Sequence, residues 1–256
     1  EAINDLWLLT LPTDGSQAAP LRIIETYPAT LGWWGGAYAW SPDGSRLAYA
    51  FADETGIIDM PANDELPDAQ ALAAEEPARS VLQSFTAYDT GADWAWVPNL
   101  SWSADGRYLS HTAYNDETAA FDLWVTDTQT SETAVLVPGV GIWSAAQWSP
   151  ISTGPQLAFL RSANSEESID SGYALWLSDA DGTNDQRIFP PEGETGRFAR
   201  TNQSLAWGPN GDTLAFIFEN ALHIANVATN ELYRSPSDDT VSSHPTWAPY
   251  GAAAIR

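Results

Sequence analysis

The sequence contains no lysine and no cysteine, and both absences restrict what the protein can do. Without cysteine it can form no disulfide, no thiolate metal site and no cysteine nucleophile. Without lysine it has no Schiff-base residue and no lysine general base. The ten basic residues are all arginine, and 34 acidic residues give a formal net charge of −24 at pH 7. Since phosphate binding requires clustered Lys and Arg, the charge predicts that nucleic acid is not a partner.

Long apolar runs and catalytic motifs are also missing from the sequence. No stretch of about 18 apolar residues occurs, so no membrane insertion is predicted. There is no G-x-S-x-G nucleophile elbow and no H-x-x-x-H or H-E-x-x-H metal spacing. The sequence therefore predicts no catalytic residue, no metal site and no cofactor, and it favours a protein that is not an enzyme. Chemistry by paired carboxylates stays open, although no pair stands out in so acidic a chain.

What the chain does contain is a repeat that begins with tryptophan and a tight polar turn. The segment W-S-P-D-G-S-R-L-A-Y starts at Trp40, and related segments start at Trp102, Trp148, Trp207 and Trp247. In such turns Pro presets φ, Asp bonds back to the backbone and Gly supplies a positive φ, so each segment predicts a β-hairpin. We expect the five tryptophans to lie in the core.

A second pattern follows each hairpin. F-D-L-W-V-T-D at 121–127 is echoed at 173–179, 220–226 and 4–10, and a polar turn with a further apolar run follows each. Each repeat thus has four short strands. Four antiparallel strands in about 40–45 residues are typical of one blade of an all-β propeller.

The W-S-P-D-G, L-A-Y and D-L-W-V-x-D segments resemble the TolB-type, WD-like β-propeller repeat of bacterial proteins. The resemblance covers nearly the whole chain. It implies a periplasmic or extracellular protein of the bacterial cell envelope. Repeats of this type serve as binding platforms, periplasmic scaffolds and substrate gates beside hydrolase domains, so the fold leaves the function open.

The repeats predict one propeller domain, 1–256, with five blades, and the resemblance implies six as the alternative. The ring would be closed by N-terminal strands that pair with C-terminal strands. The acidic segment 51–80 is interpreted as an insertion between the second and third strands of its blade. The predicted blades are 247–256 together with 1–27, then 33–97, 98–138, 143–190 and 200–236.

The irregular loops between strands are the predicted binding surface, since binding residues concentrate on loops. Flat aromatic rings there could stack on sugar rings or hold apolar peptide side chains. The alternative is that these rings pack between blades. The candidate residues are Trp33, Trp34, Trp94, Trp96 and Trp143.

Two arginines and one histidine complete the candidate ligand-binding residues. Arg197 and Arg200 lie in one predicted loop, where an arginine pair can clamp a carboxylate of a ligand or of a peptide C-terminus. The alternative is that they pair with Glu192 and Glu194. His244 precedes the last repeat tryptophan and is the histidine best placed to contact a ligand.

One acidic turn is similar to the opening of a calcium loop. The segment D-A-D-G-T-N at 179–184 places carboxylates at alternate positions, as a hard cation requires. The bidentate Glu expected at the twelfth position is missing, because Pro190 stands there. We therefore interpret the segment as the ordinary turn between the third and fourth strands.

These observations favour a non-enzymatic propeller that binds a protein or peptide, or serves as a scaffold. One alternative is a substrate-gating propeller of a larger, prolyl-oligopeptidase-like hydrolase. Another is a carbohydrate-binding propeller, which requires exposed tryptophan rings at the loops.

Overall fold

The structure is a computed structural model, and it describes residues 5–9, 20–25, 36–60, 78–91, 96–200, 204–235 and 244–247. These residues form eighteen β-strands and no helix. A helix of the length and apolarity needed to cross a membrane is accordingly absent from the described part of the chain. The chain divides into two compact units, Glu1–Pro98 and Asn99–Arg256.

The N-terminal unit contains one two-stranded and one four-stranded antiparallel sheet. The small sheet pairs β1 (Leu6–Leu9) with β2 (Pro20–Ile24). The larger sheet has four strands in chain order, namely β3 (Ala37–Trp40), β4 (Arg46–Ala50), β5 (Glu54–Asp59) and β6 (Arg79–Ser84). A buried apolar cluster joins the two sheets through Ile23, Ile24, Leu47, Tyr49, Phe51 and Ile58.

The C-terminal unit contains three four-stranded antiparallel sheets, each made of four consecutive strands. The first holds β7 (Leu100–Trp102), β8 (Tyr108–Asn115), β9 (Ala120–Asp127) and β10 (Glu132–Val137). The second holds β11 (Ala146–Trp148), β12 (Gln156–Ser162), β13 (Tyr173–Asp179) and β14 (Gln186–Phe189). The third holds β15 (Leu205–Trp207), β16 (Thr213–Phe218), β17 (Ala221–Asn226) and β18 (Leu232–Arg234).

Two apolar cores hold the sheets of the C-terminal unit together. One packs Leu160 and Leu175 against Phe198 and Phe216, and the other packs Leu123 and Val137 against neighbours such as Trp148. The strands that supply these residues are rich in aromatic and large apolar residues, which suit a sheet buried on its faces.

The first strand of each sheet lies beside the first strand of the next in this unit. β11 contacts both β7 and β15. The backbone N–H of Trp148 donates to Ser101 Oγ over 3.0 Å, and the indole N–H of Trp207 donates to the Gln147 carbonyl over 2.9 Å. Trp247 repeats the second contact, because its indole N–H donates to the Ala206 carbonyl over 3.0 Å. The repeat tryptophans thus join neighbouring sheets.

The expectation that all five repeat tryptophans lie in the core was wrong for one of them. Trp102 and Trp148 are buried, and Trp207 and Trp247 are half-buried, whereas Trp40 is 48% exposed. In the C-terminal unit each first strand has another beside it. Trp40 is the last residue of β3, the one first strand described in the N-terminal unit.

The hairpin turns have the predicted conformation. Gly44 and Gly106 adopt φ of 72° and 70°, the left-handed region that glycine occupies without strain. In the first turn Asp43 accepts hydrogen bonds from Ser41 Oγ at 2.6 Å and from the Ser45 amide at 3.0 Å. The Ser41 bond, followed by those of Ser45, lowers the pKa of Asp43 to about 2.

The predicted insertion between the second and third strands was wrong. β4 and β5 pair directly across the short turn at 51–53, so the third strand lies inside the segment interpreted as an insertion. The long connection runs instead from β5 to β6. Its residues 61–77 lie outside the described residues, and so do residues 248–256, on which ring closure depends.

Candidate functional site

Loops of two kinds meet at one edge of each sheet in the C-terminal unit. One kind joins the second strand to the third, and the other joins the fourth strand to the next sheet. Because the strands are antiparallel and consecutive, both kinds of loop lie at the same end of the strands. We call this end of each sheet the loop edge. At this edge lie residues 116–119, 138–145, 163–172, 190–200 and 219–220.

The segment 194–200, which we call the bridging segment, joins two neighbouring sheets at the loop edge. Its Gly196 pairs with Tyr173 at the start of β13, through the Tyr173 amide and the Gly196 carbonyl at 2.8 Å. Its Phe198 pairs with Phe218 at the end of β16. Gly196 is needed because a Cβ there would lie 2.2 Å from the Phe218 ring. The bridging segment is therefore fixed on both sides.

An aromatic cluster packs against Phe198 of the bridging segment. The Phe198 ring lies 5.7 Å from that of Phe216 and 5.0 Å from that of Phe218, measured between centroids. Phe189 and His223 belong to the same cluster, and the His223 ring stacks on Phe216 at 5.4 Å. Burial lowers the pKa of His223, which favours the neutral imidazole in this apolar setting.

Trp143 and Arg200 meet at the Ile169 carbonyl. The Trp143 indole N–H donates to that oxygen over 3.0 Å, and Arg200 Nη2 donates to it over 2.8 Å. The Arg200 guanidinium carbon lies 5.1 Å from the centroid of the Trp143 ring, within the range of a cation–π contact. Trp143 is half-buried and Arg200 is exposed, so the pair presents a guanidinium at the surface.

The backbone of Trp143 is fixed by buried polar groups. Its amide donates to Tyr173 Oη over 3.2 Å, and that hydroxyl donates to the Ser168 carbonyl over 2.9 Å. Burial raises the pKa of Tyr173, so its hydroxyl stays protonated as a donor. Gly141, at φ 94°, is required here, because a Cβ would lie 2.6 Å from Tyr173 Oη.

Arg197 does not make the ion pair that was the alternative to ligand binding. Its side chain is exposed, and its guanidinium makes no ion pair with any residue that the structure describes. The Glu219 carboxylate instead accepts from the Arg197 amide at 2.8 Å. Glu194 contributes its carbonyl to Arg187, which also donates to the Pro190 carbonyl over 2.7 Å.

A buried carboxylate at the loop edge was missed by the sequence reasoning. Asp122 in β9 is 1% exposed and accepts hydrogen bonds from the Gly139 amide at 2.7 Å and from Asn115 Nδ2 at 2.8 Å. It thereby ties the end of β8 to the loop that follows β10. The signal was present, since the corresponding residues of the next two blades, Ala174 and Ala221, are small and apolar.

Two of the remaining candidates lie at described positions, and three do not. Trp96 is 7% exposed and presents no open ring face. His244 is exposed. Trp33, Trp34 and Trp94 lie outside the described residues.

The structure gives the acidic turn at 179–184 the geometry of a closed turn. Asn184 Nδ2 donates to Asp179 Oδ2 over 2.7 Å, and the Thr183 amide donates to Asp181 Oδ1 over 3.0 Å. The two carboxylates are thus used within the turn. Within the described ranges, no three His, Asp or Glu side chains come together as they would around a metal ion.

The sheets and their order define the class of the protein. Four-stranded antiparallel sheets of consecutive strands, with first strands side by side, are the blades of a β-propeller. No protein-family model matches the chain, and no curated protein matches its sequence. Solved structures do match, and they show a TolB-like propeller fold.

Three of these structures illustrate the similarity. TolB from Acinetobacter baumannii is 17% identical, with a TM-score of 0.52 over 89% of this chain and 48% of that chain. A putative TolB from Agrobacterium tumefaciens is 16% identical, with a TM-score of 0.53 over 90% and 73%. An oligogalacturonate lyase from Vibrio parahaemolyticus is 15% identical, with a TM-score of 0.51 over 90% and 61%. The chain thus spans about half of the Acinetobacter protein, and identities this low show the fold alone.

Proposed function

We propose that the protein is a non-enzymatic binding or scaffold β-propeller that holds a protein or peptide partner at the loop edge of its C-terminal unit. The observation that carries this proposal is the bridging segment, which presents an exposed Arg197 and holds Arg200 beside Trp143. Tryptophan and arginine are the residues that most often dominate the energy of protein interfaces.

The rigidity of the segment supports a binding role. Pairing with Tyr173 on one side and Phe218 on the other fixes the backbone before any partner arrives. The Arg200 side chain is fixed as well, by Ile169 and Trp143. Because little order remains to be gained on binding, the entropic cost of association is small.

The charge of the whole chain selects the kind of partner. A net charge of −24 repels acidic proteins at long range, attracts basic ones and does not oppose the approach of neutral ones. A cell-envelope location is part of the proposal and rests on the TolB-like fold. Detection of the native protein in the periplasmic or extracellular fraction of its source cells would support that location, and detection in the cytoplasm alone would contradict it.

The binding role is tested by selecting peptides from a random library displayed on phage, with the full chain as bait. We expect selected peptides to bind at least about tenfold more weakly to Arg200→Gln and to Trp143→Phe than to the unchanged chain, as for residues at an interface centre. Tyr233→Ala is the matched control, because Tyr233 is an exposed aromatic residue on β18, outside the bridging segment. Thermal unfolding of each variant checks that it is folded.

Two outcomes would contradict the proposal. In the first, no peptide is enriched over an empty surface. In the second, the selected peptides bind the Arg200 and Trp143 variants as tightly as the unchanged chain but lose affinity for the Tyr233 variant, which would move the binding surface to the outer strand β18.

A further inference from the structure

We infer that the loop edge recognises the free C-terminal carboxylate of its peptide partner through Arg200, assisted by Arg197. This inference rests on the proposed function and names the chemical group that the surface binds. It follows from how the two guanidinium groups are used within the chain.

Arg200 has donors left for a ligand. Of its five N–H groups, one donates to the Ile169 carbonyl, and no other hydrogen bond joins its side chain to a described residue. The cation–π contact with Trp143 holds the guanidinium beside the ring without using any further N–H group. A planar group held in this way can form two parallel hydrogen bonds with a carboxylate.

Arg197 makes no ion pair with any residue that the structure describes, in a chain that has 34 acidic residues for ten arginines. The Glu219 carboxylate is held by the Arg197 amide, and Glu194 binds Arg187 through its carbonyl. In contrast, Arg107 and Arg22 do pair, with Asp127 at 2.6 Å and with Glu25 at 2.9 Å. Among the described residues, the Arg197 guanidinium therefore stays available to a ligand, as it is not used in an ion pair.

A peptide C-terminus suits this arrangement better than an acidic segment does. The long-range field of the chain opposes any ligand with several negative charges. A chain end brings a single carboxylate on an otherwise neutral or basic peptide, which the field admits. The side chain of the terminal residue would then contact Trp143, beside Arg200.

The test uses three synthetic peptides with the full chain. The first is acetyl-Gly-Arg-Gly-Phe with a free carboxylate, the second is the same peptide as its amide, and the third is the amide of acetyl-Gly-Arg-Glu-Phe. Binding is followed by NMR through the Nε–H signals of the ten arginines and the indole N–H signals. The Arg197, Arg200 and Trp143 signals are assigned from Arg197→Gln, Arg200→Gln and Trp143→Phe.

We expect the free acid to shift the Arg200, Arg197 and Trp143 signals saturably and to bind about tenfold or more tightly than its amide, as for a charge-assisted pair of hydrogen bonds. Arg200→Gln should remove this preference. Arg234→Gln should keep it, because Arg234 is an exposed arginine on the outer strand β18.

Each other result overturns the inference. If the free acid and the amide shift the loop-edge signals with equal affinity, the carboxylate is not the group that is recognised, although the peptide still binds at the loop edge. Tight binding of the Glu-containing amide identifies an acidic side chain as the bound group. If Arg234→Gln loses the preference for the free acid over the amide, the carboxylate-binding site lies near β18 and not at Arg200. If no peptide shifts the loop-edge signals and the phage selection also fails, the proposed function falls as well.

Discussion

Two buried polar side chains, His111 and Asp122, lie in neighbouring strands of the first sheet of the C-terminal unit. His111 lies in β8 with 1% of its surface exposed, and Asp122 lies in β9 with the same exposure. A buried polar group is costly unless the chain supplies partners or neutralises it. Asp122 has one partner at the end of β8 and one in the loop after β10, and His111 avoids the cost of a buried charge by remaining neutral.

His111 predicts a dependence of stability on pH. Burial lowers its pKa from 6.5 to about 3, so below pH 6.5 the unfolded chain binds more protons than the folded chain. The stabilising contribution is complete above pH 6.5 and is lost as the pH falls towards 3. Between pH 7.5 and 5.5 we expect the unchanged chain to lose about 1.4 kcal/mol of unfolding free energy more than His111→Gln.

Urea denaturation of both chains at the two pH values measures this difference. His223, whose pKa is also lowered, is present in both chains and cancels in the comparison. Equal losses in the two chains would show that His111 takes up its proton in the folded state without penalty.

The hairpin between the first two strands is the feature that defines the repeat at the scale of the element. Ser103 is buried, and its hydroxyl accepts from the Tyr108 amide at 2.8 Å while donating to Asp105 at 2.5 Å. Ser41 holds the Arg46 amide in the same way, at 2.9 Å. One hydroxyl thus replaces the backbone partners that the tight turn cannot provide.

We expect Ser103→Ala to destabilise the chain by about 1–3 kcal/mol, because the Tyr108 amide then lacks its acceptor in a partly buried turn. The unfolding free energy from urea denaturation measures the effect. Ser45→Ala is the control, since Ser45 is exposed and its hydroxyl bonds only to Asp43 among the described residues, and its effect should stay below about 0.5 kcal/mol. Equal losses of unfolding free energy in the two variants would show that the buried Ser103 hydroxyl stabilises its turn no more than the exposed Ser45 hydroxyl does.

The third strand of the N-terminal unit shows why one element escaped prediction. β5 lacks the D-L-W pattern and contains Gly56, which is unusual inside a strand. The reason is close packing, because a Cβ on Gly56 would lie 2.5 Å from Tyr49 Oη and 2.6 Å from the Ser80 carbonyl. Tyr49 also donates to Glu54 over 3.0 Å, so an acidic residue that suggested a loop takes part in the sheet.

Charge dominates the behaviour of the whole molecule. The chain has 34 acidic residues and ten arginines, so the negative charges of the folded chain repel one another. Salt shortens the range of this repulsion, from about 30 Å at 0.01 M to about 10 Å at 0.1 M. Screening should therefore favour the folded chain.

We expect the melting temperature to rise by about 2–4 °C between 10 and about 300 mM NaCl, which corresponds to about 1 kcal/mol. Differential scanning calorimetry measures it. A variant with four exposed acids neutralised, namely Asp116→Asn, Glu117→Gln, Glu166→Gln and Glu167→Gln, should melt higher at low salt and respond less to salt. A melting temperature that is independent of salt in both chains would contradict this account.

The sequence by itself determined the repeat, its hairpins and the class of fold, because turn residues and alternating apolar strands act locally. It also determined the charge and the chemistries that missing residues exclude. Only the tertiary structure decided which aromatic rings stay open. It buries Trp96, places Arg200 beside Trp143 and leaves Arg197 without an ion pair to any described residue. The bridging segment and Gly56 depend on contacts between distant parts of the chain, and no local pattern encodes such contacts.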